Sequence, residues 1–176
     1  MTTQGYGPDL IGLMAPGPDP ACSGDRLIYD PLIGDWEFDN EYYRHDGSVE
    51  RARGEWHFAR ALEGRAIADL WTYPLLSERA STGEGPVGLG VTVRTFDPKT
   101  SSWNVSWNAA DGRHLLLTGR RVGDEIVQEG QEGGLRLRWI FSDIAEDRFN
   151  WRAEASADEG KRWRLTQAME GRRLRC

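Results

Sequence analysis

The sequence predicts an all-β protein: an antiparallel up-and-down barrel of about ten strands preceded by an irregular N-terminal arm. Three observations carry this. Beyond Gly34 the chain falls into segments of roughly seven to eleven residues in which apolar and polar side chains alternate, the period of half-buried strands. Turn residues divide these segments, nearly every link is of hairpin length, and no helical period is long enough for a crossover, so neighbours pair antiparallel. An open sheet of this size would expose two edges to aggregation, and closure into a barrel removes both. The interior of such a barrel has room for side chains and a small molecule.

Residues 1–31 are rich in Gly, Pro and Asp without a sustained period and make up the arm, with a short helical turn expected around Asp25 to Ile33; the barrel domain spans 32–176. The first strand, Trp36 to Tyr43, sets Trp36, Phe38 and Tyr42 on one face and ends at the turn Asp46-Gly47. The second, Val49 to Arg60, sets Gly54, Trp56 and Phe58 together. The third runs from Arg65 to Tyr73, and the longest connection, Pro74 to Pro86, follows it as the candidate lid. The fourth spans Val87 to Asp97. The fifth, Ser102 to Ala109, alternates through Trp103, Val105 and Trp107.

The sixth runs from Arg113 to Val122 and the seventh from Glu125 to Glu132. The eighth carries Leu135, Leu137, Trp139 and Phe141 on one face, and the ninth carries Phe149, Trp151, Ala153 and Ala155. The tenth, Arg162 to Arg172, is expected to align Trp163, Leu165 and Met169.

A chain of 176 residues with 39% hydrophobic content supports one domain with one core. Its net charge of −6 argues against binding through phosphate neutralisation, so no nucleic-acid partner is expected. No apolar run approaches the roughly 20 residues of a membrane helix, and the first residues lack the pattern of a signal peptide. A cytoplasmic protein without a membrane partner is the expectation. The two cysteines, Cys22 and Cys176, have no metal-site spacing. Neither metal nor cofactor is expected, and a homodimer would suit the exposed strand faces of a barrel.

Gly34-Asp35-Trp36, at the head of the first strand, resembles the Gly-x-Trp signature of the lipocalin and wider calycin families. From about Tyr29 to Arg173 the chain is similar to a group of bacterial lipocalin-like proteins of unknown function, through "LIGDWEF", "GEWHFARALEGRAIADLW", "FDPKTSSWNVSW", "LTGRRVGDEIVQEG" and "RWRLTQ". The resemblance implies that Trp36 closes the barrel base under an arginine from the last strand, where Arg162, Arg164, Arg172 and Arg173 are available.

Gly83-Glu84-Gly85-Pro86-Val87-Gly88 has the letters of a dinucleotide fingerprint but precedes a strand and is interrupted by Pro86, so it reads as a loop. Of the three histidines, His57 lies inside a strand and shares a face with Glu55; Arg65, Asp69, Ile67 and Trp71 share a face of the next strand. If both faces point inward, Glu55, His57 and Asp69 form a catalytic cluster, joined by Arg65, that moves a proton or holds a polar ligand group. If they point outward, Trp56, Phe58, Ala66, Ala68 and Leu70 fill the interior. The alternation alone does not choose.

The aromatic load, with Tyr42, Trp56, Phe58, Trp71, Trp107, Trp139 and Trp151 as candidate ligand contacts, suits a planar guest through stacking, and Arg94, Asn104 and Asn108 could orient it. The first expectation is a barrel that binds a small apolar or aromatic molecule as carrier, sensor or store. The alternatives are a cofactor-independent isomerase or cyclase in the same cavity and a haem-binding barrel with His57 as axial ligand.

Overall fold

The structure is a computed structural model that describes residues 14–15, 17–83 and 85–174. Its strands are β1 (Met14–Ala15), β2 (Gly34–Tyr43), β3 (Val49–Ala61), β4 (Ala66–Tyr73), β5 (Gly88–Asp97), β6 (Ser102–Ala109), β7 (His114–Val122), β8 (Glu125–Glu132), β9 (Leu135–Ser142), β10 (Arg148–Ser156) and β11 (Arg164–Arg173). Each of β2 to β10 pairs antiparallel with its successor, and β11 returns to pair with β2, which closes a ten-stranded barrel. β1 adds two residues beside the overshooting end of β3, opposite Arg60 and Ala61.

The alternation read from sequence sets the core. Trp36 and Phe38 of β2, Trp56 and Phe58 of β3, Trp103 and Val105 of β6, Phe141 of β9, and Phe149 and Trp151 of β10 are buried inside. Each large side chain removed from water contributes about 1.5–3 kcal/mol. The rings meet mostly edge to face, as Trp36 and Phe149 do at 4.8 Å between centroids, the arrangement that aromatic quadrupoles favour. Gly54 is required where Phe38 crosses β3: an added Cβ would overlap that ring and the Thr72 carbonyl oxygen.

The narrow end is plugged by the chain that leads into β2. Two short 3-10 turns, Gly24–Leu27 and Asp30–Leu32, replace the single expected turn and drive Ile28, Tyr29 and Leu32 into the base. Trp103 Nε1 donates to Asp25 O at 2.8 Å, and Trp36 Nε1 donates to Leu32 O at 2.7 Å. The last-strand arginine over Trp36 is Arg173, 4.0 Å from the ring centroid, and its guanidinium also donates to Ile33 O and Pro31 O.

Two expectations for local structure need correction. The connection after β4 contains a helix, α1 (Leu76–Thr82), whose first N–H is taken by the Glu55 carboxylate and which ends at Gly83 in the left-handed region. In β11 the register against β10 shifts between Ala153 and Glu154, where Thr166 bulges out of the ladder. The bulge breaks the expected run of Trp163, Leu165 and Met169. Trp163 precedes β11 and lies under the Arg138 guanidinium, 4.2 Å away, while Met169 is buried inside.

Candidate functional site

The wide end of the barrel is open. A mouth of about 500 Å³ is lined by Tyr42, Tyr73, Leu137, Ala153 and Ala155 and has Trp71, Trp107 and Trp139 at its floor. Those three tryptophans also border a deeper recess of about 60 Å³, with Trp56, Trp151, Asp69, Thr92, Arg94, Gln167 and Met169 around it. Mouth and recess therefore form one funnel, aromatic at the waist and polar on one side. Small residues on β10, Ala153 and Ala155, leave the space that the indoles would otherwise occupy.

The polar side is one buried cluster. Asp69 Oδ1 accepts from Trp56 Nε1 and Thr92 Oγ1, each at 2.9 Å, while Oδ2 is bound by Arg94. Both members of the Asp69–Arg94 ion pair have side chains 1% exposed. The Arg94 guanidinium stands 5.0 Å from the Tyr29 ring centroid and 5.6 Å from that of Phe58, so aromatic faces supply what water would. Burial pushes the Tyr29 hydroxyl well above the usual phenol range, partly offset by Arg94, and keeps it neutral. The indole N–H groups of Trp71 and Trp151 are buried without an acceptor among the described residues.

The rim carries three arginines. Arg44 pairs with Glu50. Arg113 holds Glu132 through two contacts of 3.0 Å and lies 5.4 Å from the Trp107 ring centroid. Arg164 donates to Tyr43 O and to His45 Nε2, each at 3.2 Å.

Neither way of facing the second and third strands is right as a whole. Register pairs Trp56 with Trp71 and Phe58 with Asp69, so these four point inward together, while Ala66, Ala68 and Leu70 alternate to the other side, where Leu70 is exposed and Ala66 is nonetheless buried. Glu55 and His57 are on that side too. His57 Nδ1 meets Asp35 Oδ1 at 2.7 Å and Nε2 faces Glu55 at 3.4 Å, and Glu55 also caps α1. The expected inward cluster of Glu55, His57, Arg65 and Asp69 does not form, and His57 is not placed to serve as an axial ligand inside the barrel.

Arg65 has turn geometry ahead of β4, which frees it from the strand alternation, and it pairs on the surface with Asp19 of the arm at 2.6 Å. Asn104 is exposed, because the alternation that buries Trp103 and Val105 sends it outward; Asn108 follows the same rule. Phe58 is below the funnel, in the core. The structure brings together Trp56, Asp69, Trp71, Arg94, Trp107, Trp139 and Trp151, with Tyr42 above them. Thr92, Gln167, Met169 and Arg164 were missed. The first was readable as a neighbour of Arg94 on the same face, and Gln167 and Met169 keep the phase that the alternation of the last strand gives; Arg164 was hidden by the bulge.

These features define a lipocalin-like barrel: closed, antiparallel and ten-stranded, with its first-strand tryptophan sealed by a last-strand arginine and its other end open. Solved structures agree on the fold. The S-type phycobiliprotein lyase CPES from Guillardia theta superposes with a TM-score of 0.59 over 84% of this chain and 91% of its own, at 8% identity. Rv2717c from M. tuberculosis superposes with a TM-score of 0.59 over 88% of this chain and 100% of its own, at 14% identity. No protein-family model matches the chain, and no curated protein matches it. Among the described residues, no helix is long and apolar enough to cross a membrane, and no group of three or more His, Cys, Asp or Glu side chains is arranged to hold a metal ion.

Proposed function

We propose that the protein binds a small aromatic molecule in the mouth of the barrel. The observation that carries this reading is the open 500 Å³ space floored by Trp71, Trp107 and Trp139. Its size is within the range of pockets that enclose drug-sized ligands, and an indole floor stacks on a planar guest. That a barrel of the same fold is a phycobiliprotein lyase is in keeping with a cavity put to use.

Binding is favoured over proton-transfer chemistry by the state of Asp69. Of the residues around the recess it is the one carboxylate, and three donors already occupy its two oxygens. A general base needs an oxygen within reach of the proton it removes. The cluster instead braces the wall on which the tryptophans stand.

The test uses N-phenyl-1-naphthylamine, a neutral fluorescent aromatic, titrated into the protein while its emission and the tryptophan quenching are followed. A saturable one-to-one curve is expected, with affinity lowered about tenfold by Trp139→Leu or Trp107→Leu, the upper end of what one aromatic contact contributes. A probe that fails to saturate, or that ignores both substitutions, contradicts the reading.

A further inference from the structure

We infer that the ligand is an aromatic anion whose ring system lies against Trp107 and Trp139 and whose anionic group is held by Arg164; this rests on the binding reading above and adds the charge of the guest. The first observation is the bulge at Thr166. Without it, counting back by twos from Gln167, which opposes Ala153 on the inner side, would turn Leu165 inward and Arg164 outward. With it, Arg164 opposes Ala155, whose side chain faces the barrel interior, and so stands at the mouth. Bulges beside functional sites commonly serve to re-aim a side chain, and here the side chain re-aimed is a guanidinium.

The second observation is the charge inventory of the rim. Arg44 is neutralised by Glu50 and Arg113 by Glu132. The remaining mouth carboxylate, Asp111, accepts from the Arg113 backbone N–H at 2.9 Å and keeps its charge, but it is not among the partners of Arg164. Arg164 has no carboxylate partner among the described residues; its two contacts are the carbonyl oxygen of Tyr43 and Nε2 of His45. Its planar fork matches a carboxylate or sulfonate in geometry. Arg164, Leu135 and Ala155 also border a depression of about 390 Å³ just outside the rim, so an anion on Arg164 keeps one side in water while its rings enter the mouth. That arrangement avoids burying the charge completely, which would be costly.

The experiment compares 8-anilinonaphthalene-1-sulfonate with N-phenyl-1-naphthylamine, which has the same rings without the sulfonate, on the wild-type chain, on Arg164→Gln and on Arg120→Gln, a change of equal charge outside the barrel. The expected result is a loss of sulfonate affinity of about tenfold or more in Arg164→Gln, with the neutral probe and the Arg120→Gln protein within about twofold. On the wild-type chain, added salt should weaken the sulfonate probe and leave the neutral one unchanged. If Arg164→Gln does not fold, the salt arm decides. Loss of both probes together, loss of neither, or equal loss in Arg120→Gln overturns the anion site while the binding reading stands. A neutral probe that never saturates on the wild-type chain overturns both.

Discussion

Arg173 lies with its guanidinium 4.0 Å from the centre of the Trp36 ring and joins the last strand to the first across the barrel base. Two backbone carbonyls, of Pro31 and Ile33, complete its contacts on the plug. Removing it deletes a cation–π contact and charge-assisted hydrogen bonds at the seam of the barrel. Arg173→Ala is expected to lower stability by about 2–3 kcal/mol in urea unfolding, and Arg173→Lys to recover less than half, because an ammonium lacks the fork.

Asp69 and Arg94 are each other's compensation in the interior. Replacing one alone by leucine strands the other and is expected to cost about 3–5 kcal/mol, whereas the double replacement costs less than either single one. Thermal or urea unfolding of the four proteins of this cycle gives the coupling directly. Additive losses would show that the pair does not act as a unit.

Tyr29 and Tyr42 set an alkaline limit. Burial holds both hydroxyls above the ordinary phenol range, with Tyr73 adding to the shift of Tyr42. Below about pH 10 the proton is present in both folded and unfolded chains, so stability is at its full value. Above it the unfolded chain ionises and the folded one does not, so stability falls by about 1.4 kcal/mol per pH unit for each such tyrosine. Tyr29→Phe removes one of these contributions, and urea midpoints between about pH 9 and 11.5 should fall less steeply in that variant.

Gly54 is a packing position. Its missing Cβ is where Phe38 crosses β3, between that ring and the Thr72 carbonyl. Gly54→Ala is expected to cost about 1–3 kcal/mol through overpacking, with near-ultraviolet circular dichroism reporting the displaced aromatic rings.

The barrel was legible because period-two alternation runs through β2, β6 and β10 and the middle of β3, where aromatic residues mark one face and polar ones the other; in β9 it is interrupted by Ile140, buried beside Phe141. It failed at charged residues with distant partners. In β4 the inward face carries Asp69 between Ile67 and Trp71, and its partner Arg94 is 25 residues away, so a reading that sends charge outward cannot phase the strand. His57 and Glu55 looked like a site because a histidine near a carboxylate does, yet Trp56 and Phe58 between and beside them claim the interior. The mouth was half legible: its tryptophans were named from composition and alternation, but Arg164 depends on a one-residue bulge that leaves no mark in the local sequence. Helix α1 has a signal in Leu76-Ser77-Glu78-Arg79-Ala80 followed by Gly83, which a reading of the connection as a loop passes over.

The most direct test of a mouth that holds an aromatic guest is native mass spectrometry of the protein isolated from its own cells, followed by denaturing release of whatever accompanies it. The comparison is Ala155→Trp, which fills the mouth from β10 without deleting any contact. One aromatic molecule per wild-type chain, absent from the filled variant, is the predicted result; an empty wild-type protein, or a guest kept equally by Ala155→Trp, would contradict it.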